Sequence, residues 1–340
     1  MTLPATSINT ILRQDYLPEM PNLWAKKDYA MLAKFFQNME GFESNRIKVD
    51  VDYRSLSVAT HVGNTDNVTA AETEWATQGE QLAYLFLDTI RFNHTELLNM
   101  NTKADVRRNM SRKMDNVLQG MRENFVTHEV TRSASSSQWI RLYDMIDNYT
   151  GALHGITPSD LPTAASWYAQ QINAGALGGT TRAALMNEGE KSYLPSMIRR
   201  LISKCSRFGD KSDSVVYVQS YHWDLLQDII DSKKLGSLTR DKDAYLGIDT
   251  IMCSGVPIME DPWLSLTQTT ANDCQIYLIN HKHIKMRANR KAMFTMVGEM
   301  IPAQNNTAKV SQIGLYGNFT DEKRSSSGFL HTLYGELSYN

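Results

Sequence analysis

Hydrophobic and polar residues alternate in two stretches near the start of the chain. Residues Ile47 to Tyr53 alternate apolar and charged side chains, which predicts a strand with one face in water. Alternation returns from Leu82 to Phe92, and the two predicted strands enclose the polar stretch 54–81. The charged residues that follow Arg54 in this stretch are all acidic, namely Asp66, Glu72, Glu74 and Glu80. A long stretch without core periodicity predicts a projecting loop.

The clearest helix is predicted from Lys103 to Thr127, where apolar residues recur every three or four positions along one stripe. The opposite face is mostly basic, with Lys103, Arg107, Arg108, Arg112, Lys113 and Arg122. Three interpretations of this face stay open: a solvated surface, a phosphate-binding surface, or a docking surface for an acidic segment. The acidic residues at 66–80 of a second copy are one candidate for that segment.

The remaining pattern predicts a mixed α+β protein without a repeat of fixed period. Helices are predicted at 193–208 and 221–233, and short strands at 215–218, 248–253, 256–259, 275–279 and 310–316. Residues 132–189 predict loops around short elements because they are rich in serine and glycine. At the other end, Pro18 and Pro21 predict an extended arm that leads into a short amphipathic helix from about Ala25.

Composition excludes several classes of protein. The 340 residues are 42% hydrophobic and 21% charged, which is typical of globular chains. With a net charge of −2, the whole molecule lacks the excess of basic residues that is typical of nucleic-acid-binding proteins. Cys205, Cys253 and Cys274 form no CxxC pair, so we expect neither a zinc knuckle nor a disulfide framework, and we expect a reducing compartment. We also expect no signal peptide and no membrane span.

Signatures of catalysis are missing or incomplete. The chain has no GxxxxGK[ST], no GxGxxG after a strand and no GxSxG, and His128-Glu129 lacks the second histidine of an HExxH zinc motif. His281 and His283 are predicted on one side of a strand. They would hold a metal with a third ligand from Asp249, Glu260 or Asp261, or form a solvated strand edge. A cytosolic α/β hydrolase that uses His281 or His283 with Asp261 is an alternative.

Taken in order, these pieces resemble the major capsid proteins of tailed bacteriophages, which have the Hong Kong 97-type fold. The segments that carry the resemblance lie mostly in the second half of the chain. They are Val215 to Leu226, the turn Gly255-Val-Pro-Ile-Met-Glu-Asp261, Ile276 to Asn280, Gln312 to Gly317 with Arg324, Gly328 and Leu330, and Leu153 to Pro162 with Trp167.

The resemblance implies an α+β fold with five parts. They are an N-terminal arm at 1–45, an extended loop at 46–81, a peripheral domain at 82–150 with its spine helix at 103–127, an axial domain with inserted loops at 151–300, and a return to the peripheral domain at 301–340.

The resemblance also implies the role of a coat protein without catalytic residues, cofactor or metal. Hexamers and pentamers of the chain would form an icosahedral shell around non-specifically contacted double-stranded DNA, in a virion assembled in the cytoplasm of a bacterial host. A portal, a separate scaffolding protein and a decoration protein are the implied partners, with no membrane. We expect no covalent cross-link through a loop lysine, because no lysine lies between Lys48 and Lys103. An encapsulin-type nanocompartment shell is the alternative of the same fold.

The residues themselves suggest where copies meet. The arm carries the aromatic residues Trp24, Phe35 and Phe36, which we expect to be exposed, and the loop 54–81 has too few apolar residues to fold alone. Both are therefore expected to become ordered against neighbours. Our hypothesis places the acidic residues Asp66, Glu72, Glu74 and Glu80 across the basic face of a neighbour's spine helix, at Arg107, Arg108, Arg112 and Lys113.

Overall fold

A computed structural model describes most of the chain. The described residues are 30–44, 46–52, 76–93, 103–130, 139–141, 143–147, 151–157, 161, 167–233, 238–242, 249–262, 264, 274–302 and 308–335.

A four-stranded sheet forms one half of the described structure. Its order is β1 (Glu40–Phe42), β11 (Ile284–Pro302), β12 (Ala308–Asp321) and β4 (Tyr84–Asn93). Strand β1 runs parallel to β11, whereas the β11–β12 and β12–β4 pairs are antiparallel. Helices α1 (Ala30–Gln37) and α2 (Lys103–Val130) pack on this sheet. Aromatic rings join the layers, since Phe319 of β12 contacts rings from both helices, Phe35 and Phe125.

A separate two-stranded ribbon lies between strands β1 and β4 along the chain. Strands β2 (Arg46–Asp52) and β3 (Ala76–Leu82) pair in antiparallel register, with Val49 opposite Gly79. Residues 53–75 between them lie outside the described residues.

The other half of the described structure is built on a seven-stranded sheet. Its strands, in spatial order, are β5 (Gln170–Asn173), β13 (Gly328–Leu333), β10 (Cys274–Asn280), β6 (Ser214–Val218), β9 (Val256–Glu260), β8 (Asp249–Cys253) and β7 (Leu238–Lys242). Helices α3 (Arg182–Met186), α4 (Leu194–Cys205) and α5 (Ser220–Lys233) belong to this half. The β6–β9 and β5–β13 pairs are parallel, and the other pairs are antiparallel.

The seven-stranded sheet separates two hydrophobic clusters. Successive side chains of a strand point to opposite faces, so fully buried strand β6 places Val215 and Tyr217 in one cluster and Val216 and Val218 in the other. The first cluster extends to the four-stranded sheet, α1, α2 and the ribbon. The second contains the apolar sides of α4 and α5. The seven-stranded sheet therefore packs one of its faces into each of the two hydrophobic clusters.

Most predicted elements are confirmed, with ends that shift by a few residues. The ribbon strand β2, strand β4, helix α2, helices α4 and α5, and strands β6, β8, β9, β10 and β12 all occur where the pattern predicts them. The short strands β1, β5 and β7 and the long strand β11 were not predicted, and β3 lies at the end of the stretch 54–81 that was predicted as a loop. Strand β11 places residues 284–302 in the four-stranded sheet, so the boundary expected at residue 300 falls inside a strand of that sheet.

The arm expected at 1–45 is too long. Helix α1 buries Ala30, Met31, Leu32, Ala33 and Phe35, and β1 pairs with β11, so residues 30–44 belong to the folded body. Burial of this apolar side against the chain's own sheet removes the need for a neighbour there. Residues 1–29, including the expected helix start at Ala25, lie outside the described residues.

Candidate assembly surfaces

The ribbon has one apolar face and one charged face. Ile47, Val49 and Val51 are at most 1% exposed and belong to the first hydrophobic cluster. The alternate residues of β2 are exposed and lie opposite exposed residues of β3, so that Lys48 faces Glu80 and Asp50 faces Gln78. Ionic and amide pairs cross the ribbon on this face, from Arg46 to Glu80 at 2.7 Å and from Gln78 to Asp50 at 3.1 Å. This charged face is available to another molecule.

Backbone contacts fix the ribbon to its own chain. The Asp52 amide donates to the Glu322 carbonyl at 2.8 Å, and the Glu80 amide donates to the His154 carbonyl at 3.1 Å. Gly79 lies so close to His154 that a Cβ atom there would be 2.8 Å from the His154 carbonyl oxygen. Only glycine lets two backbones approach this closely. The ribbon therefore leaves the body in a defined direction.

A network of four charged side chains also holds the base of the ribbon against the body. We call this region the junction. Lys285 Nζ lies 2.6 Å from Glu40 Oε1, and Arg287 Nη2 lies 2.8 Å from Glu322 Oε1. Two longer ion pairs complete the network, from Lys285 to Glu322 at 3.5 Å and from Arg287 to Glu40 at 3.3 Å. The free arm of the Arg287 guanidinium donates to the Lys48 carbonyl at 2.7 Å, which ties the network to β2.

A buried arginine joins the two halves of the structure. Arg324, which is 0% exposed, follows β12 and precedes β13. Its guanidinium donates to the carbonyls of Met145, Gly151 and Asp144. Burial lowers its pKa to about 10, with Asp321 acting in the opposite direction, so the group stays charged near neutral pH. Three carbonyls and a nearby carboxyl group surround this buried cation, as buried charges require.

The neighbours of Arg324 have strongly shifted protonation. Burial raises the pKa of Asp321 to about 7, although Arg324 lowers it. Burial, reinforced by Arg324, lowers the pKa of His154 to about 3, so this imidazole is neutral. Its Nε2 accepts a hydrogen bond from the Asp321 amide at 2.9 Å. Residues 321–327 therefore connect the ribbon, the segment 144–154 and both sheets.

The predicted basic face of the spine helix is present on α2 in part. Arg108 and Arg112 are exposed. Lys113 is half-buried, and its ammonium donates to the Arg91 carbonyl while lying 4.7 Å from the centre of the Phe92 ring. Lys113 therefore helps to hold α2 on β4. The side chain of Arg107 lies outside the described residues.

The expected exposure of the aromatic residues is wrong for Phe35. This ring is 1% exposed and packs edge-on against the rings of His281 and Phe319, because α1 lies in the core rather than in an arm. Phe36 is half-buried against the same cluster. Trp24, Asp66, Glu72 and Glu74 lie outside the described residues, and Glu80 has Arg46 of its own chain as a partner.

The predicted strand edge at His281 and His283 is also wrong. Strand β10 ends at Asn280, and both histidines lie in the turn before β11. His281 is 4% exposed, and its Nε2 is hydrogen-bonded to the Tyr217 hydroxyl at 2.7 Å. Burial lowers its pKa to about 3. Asp261 accepts a hydrogen bond from the Met31 amide and so supports α1.

Within the described part of the chain, no three histidine, cysteine, aspartate or glutamate residues come together in a way that would hold a metal ion. None of its helices has the length and apolar character needed to cross a membrane.

An apolar patch lies on the outer face of β4. Leu85 and Leu87 are 45% and 41% exposed and lie over Gly314 of β12, where a Cβ atom would be 2.8 Å from Leu87 and 3.0 Å from Leu85. Leu82, at the end of the ribbon, is 49% exposed.

Sequence reasoning missed the residues that hold the junction. The network of Glu40, Lys285, Arg287 and Glu322 gave no local signal, because its members come from three separate segments. His154 and Arg324 appeared only within the segments that carry the family resemblance.

The ribbon, the long helix on a four-stranded sheet and the seven-stranded sheet together form the fold of capsid shell proteins of the Hong Kong 97 type. The particular solved structures that share it include the cyanophage A-1(L) capsid asymmetric unit. The TM-score is 0.62 at 12% identity, with 94% of each chain covered.

Two further structures have the same fold. The SrpI encapsulin complex of Synechococcus elongatus PCC 7942 aligns with a TM-score of 0.55 at 9% identity, over 87% of this chain and 85% of that chain. The capsid of a native GTA particle aligns with a TM-score of 0.53 at 10% identity, over 87% of each chain. No protein-family model and no curated protein matches the sequence. The structural agreement shows a shared fold, and sequence identities this low show the fold alone.

Proposed function

We propose that the chain is the major capsid protein of a tailed bacteriophage. Copies assemble as hexamers and pentamers into an icosahedral shell that encloses double-stranded DNA. The observation that carries this proposal is the match to the cyanophage capsid structure, because it covers 94% of both chains with a TM-score of 0.62. Shell proteins of this fold are typically not enzymes.

The proposed role brings further partners with it, and the charge of the chain is compatible with it. A portal, a scaffolding protein and a decoration protein are the proposed protein partners, in a virion assembled in the cytoplasm of a bacterial host. The net charge of −2 suits a container wall, since a strongly basic wall would bind packed DNA by releasing its counterions.

Electron microscopy of the purified chain tests the proposal. We expect closed particles of megadalton mass built from hexamers and pentamers. A chain that stays monomeric or dimeric under all assembly conditions would contradict a shell role and would favour a small enzyme.

An encapsulin-type shell is the second candidate, because an encapsulin subunit also shares the fold over 87% of this chain. The contents of particles purified from the native source separate the two roles. Nuclease-protected double-stranded DNA supports the capsid, whereas a packaged protein without DNA supports the encapsulin.

The contact between the loop of one subunit and the spine helix of the next stays our proposal for the main assembly surface. Arg108 and Arg112 remain its basic partners, because Lys113 is engaged with Arg91 and Phe92 of its own chain. Exposed ion pairs contribute only about 0.2–1 kcal/mol each. Repeated over many copies, they set the register between subunits more than the affinity.

Reversal of these charges tests the contact. We expect Arg108→Glu/Arg112→Glu to leave the chain folded but unable to form closed shells. Lys191→Glu/Lys211→Glu is the matched control, since it reverses two exposed lysines elsewhere and changes the net charge equally. Normal particles from the Arg108/Arg112 variant would refute the contact.

A further inference from the structure

Helices α4 and α5 carry stripes of opposite charge at the same spacing. On α4 and the turn after it, Arg200, Lys204 and Arg207 occupy positions i, i+4 and i+7, and all three are exposed. On α5, Asp224, Asp228 and Asp231 occupy the same three positions and are also exposed. At a rise of about 1.5 Å per residue, each stripe is roughly 10 Å long. We name them the basic stripe and the acidic stripe.

The polar residues between the charges match as well. Ser203 lies at i+3 of the basic stripe, and Gln227 lies at i+3 of the acidic stripe. Both helices bury their other sides in the second hydrophobic cluster, so packing fixes which face each helix presents. The two stripes therefore have complementary charge and equal length on rigid supports.

Each stripe borders a cleft on the surface of the described structure. The basic stripe lines a cleft of about 480 Å³ beside edge strand β5, whose Gln171 carbonyl accepts a hydrogen bond from Lys204. The acidic stripe adjoins a cleft of about 290 Å³ that includes Asp224 and Asp228. Arg182 pairs with Asp228 at 3.0 Å, but both side chains are half-exposed, so this bond is weak and exchangeable.

Like charges at i and i+4 destabilise a helix by about 0.2–0.5 kcal/mol per pair. An ordinary solvated helix avoids this cost by mixing signs. Here Arg200 repels Lys204, and Asp224 repels Asp228, without an acidic residue among the exposed residues of α4. Arg182 offsets part of the repulsion on α5, and a partner of opposite charge would offset the remainder on both helices.

The two stripes of one molecule do not pair with each other. Helix α4 packs over β5 and β13 and also touches β8, and α5 packs over β9. Within the described residues, no ion pair joins Arg200, Lys204 or Arg207 to an aspartate of α5, and Asp228 pairs with Arg182 instead. A contact between the stripes would therefore join different molecules and use a different patch on each, which is the head-to-tail geometry of a ring.

We propose that the basic stripe of one copy docks against the acidic stripe of the next copy and that this contact closes the rings of the shell. This inference rests on the proposed function and names a contact within it. Residues of opposite charge then alternate around every ring.

Charge exchange between copies tests the contact. The all-acidic variant, named for its prevailing charge, is Arg200→Glu/Lys204→Glu and retains Arg207; the all-basic variant is Asp224→Lys/Asp228→Lys and retains Asp231. Like charges then prevail at every ring contact, so we expect each variant alone to need more than about tenfold higher concentration to assemble. Lys191→Glu/Lys211→Glu, which lies outside both stripes, is the control and should assemble like the wild type.

Mixing the two variants gives the decisive result. Copies that alternate around a ring place opposite charges at every contact, but alternation closes only rings with an even number of members. The mixture should therefore form hexamers and no pentamers, and hence no closed icosahedral shells. A chain with all four substitutions reverses every contact and should form both rings. Native mass spectrometry and negative-stain images count the members.

Several outcomes would overturn the contact. They are normal assembly of either variant alone, a mixture that assembles no better than its components, or a mixture that forms pentamers as readily as hexamers. Wild-type shells together with variants that behave like the control would refute the stripes and leave the shell role intact. A wild-type chain that never associates would refute both.

Discussion

Replacement of Arg324 by methionine should destabilise the chain more than any surface substitution of the same kind. Methionine fills much of the volume of the arginine stem but donates no hydrogen bond. The carbonyls of Met145, Gly151 and Asp144 would lose their donor, and Asp321 would lose its nearby cation. All of these groups lie where two sheets and the ribbon meet.

The structure allows an approximate magnitude. A buried acceptor without a partner costs about 1–3 kcal/mol, and loss of one member of a buried charge pair costs about 3–5 kcal/mol. These contributions share the same atoms and do not add. We therefore expect the free energy of unfolding to fall by about 4 kcal/mol. With a slope of about 3 kcal/mol per molar urea for a chain of this size, the urea midpoint should fall by about 1 M.

Fluorescence of the buried residues Trp139 and Trp167 reports the transition, at a protein concentration that leaves subunits unassembled. The control is Arg112→Met on the exposed face of α2, for which we expect a change within about 0.5 kcal/mol. Because Asp321 ionises near pH 7, the loss should be larger at pH 8 than at pH 6. Equal midpoints for the two variants would refute the role assigned to Arg324.

Other predictions concern backbone approach and pH. Gly317→Ala should destabilise the chain because its Cβ atom would clash with the Arg287 carbonyl oxygen, whereas Gly120→Ala, with no atom within 4 Å, should raise the melting temperature because alanine favours helix by about 1 kcal/mol. Burial holds the pKa of His281 near 3, below its usual 6.5, so the unfolded chain binds the extra proton and stability falls as pH drops from 6.5 toward 3. His281→Gln should reduce that slope by up to about 1.4 kcal/mol per pH unit in urea titrations, and an unchanged slope would contradict it. Burial raises the pKa of Asp321 to about 7, so its contribution to stability is lost as pH rises from about 4 to 7; Asp321→Asn should remove this decline, and its persistence would contradict the assignment.

Local periodicity predicted the elements whose buried side can be recognised from residues close in sequence. The alternation of β2 and the stripe of α2 needed no knowledge of distant segments. The start of β11 had the same signal, since Ile284, Met286 and Ala288 are buried and alternate with half-buried polar residues. The run Asn289-Arg290-Lys291 then interrupts the alternation, and the pairing with β12 shifts register between Ala288 and Met293. Because β11 is irregular, its sequence shows no continuous alternation that would predict a strand.

Long-range contacts explain what the sequence could not predict. Arg324 reaches the Met145 carbonyl across 179 positions of the chain, and Lys285 pairs with Glu40 across 245. No spacing rule connects such segments. The exposure expected of Phe35 failed for the related reason that its burial depends on Phe319 and His281.

The junction changes the physical picture of assembly. If only neighbouring subunits could order the loop, all of its conformational entropy would be lost on association and would weaken binding between subunits. Here the base of the ribbon is ordered by its own chain, through Val49 in the core, the amide of Asp52 and the guanidinium of Arg287. The direction of the ribbon is therefore set before any neighbour arrives, and less of the interface energy is spent on ordering it. If the chain forms the proposed shell, the contacts of Arg287 and Glu322 would influence its curvature, because they fix the angle at which the charged face of the ribbon is presented.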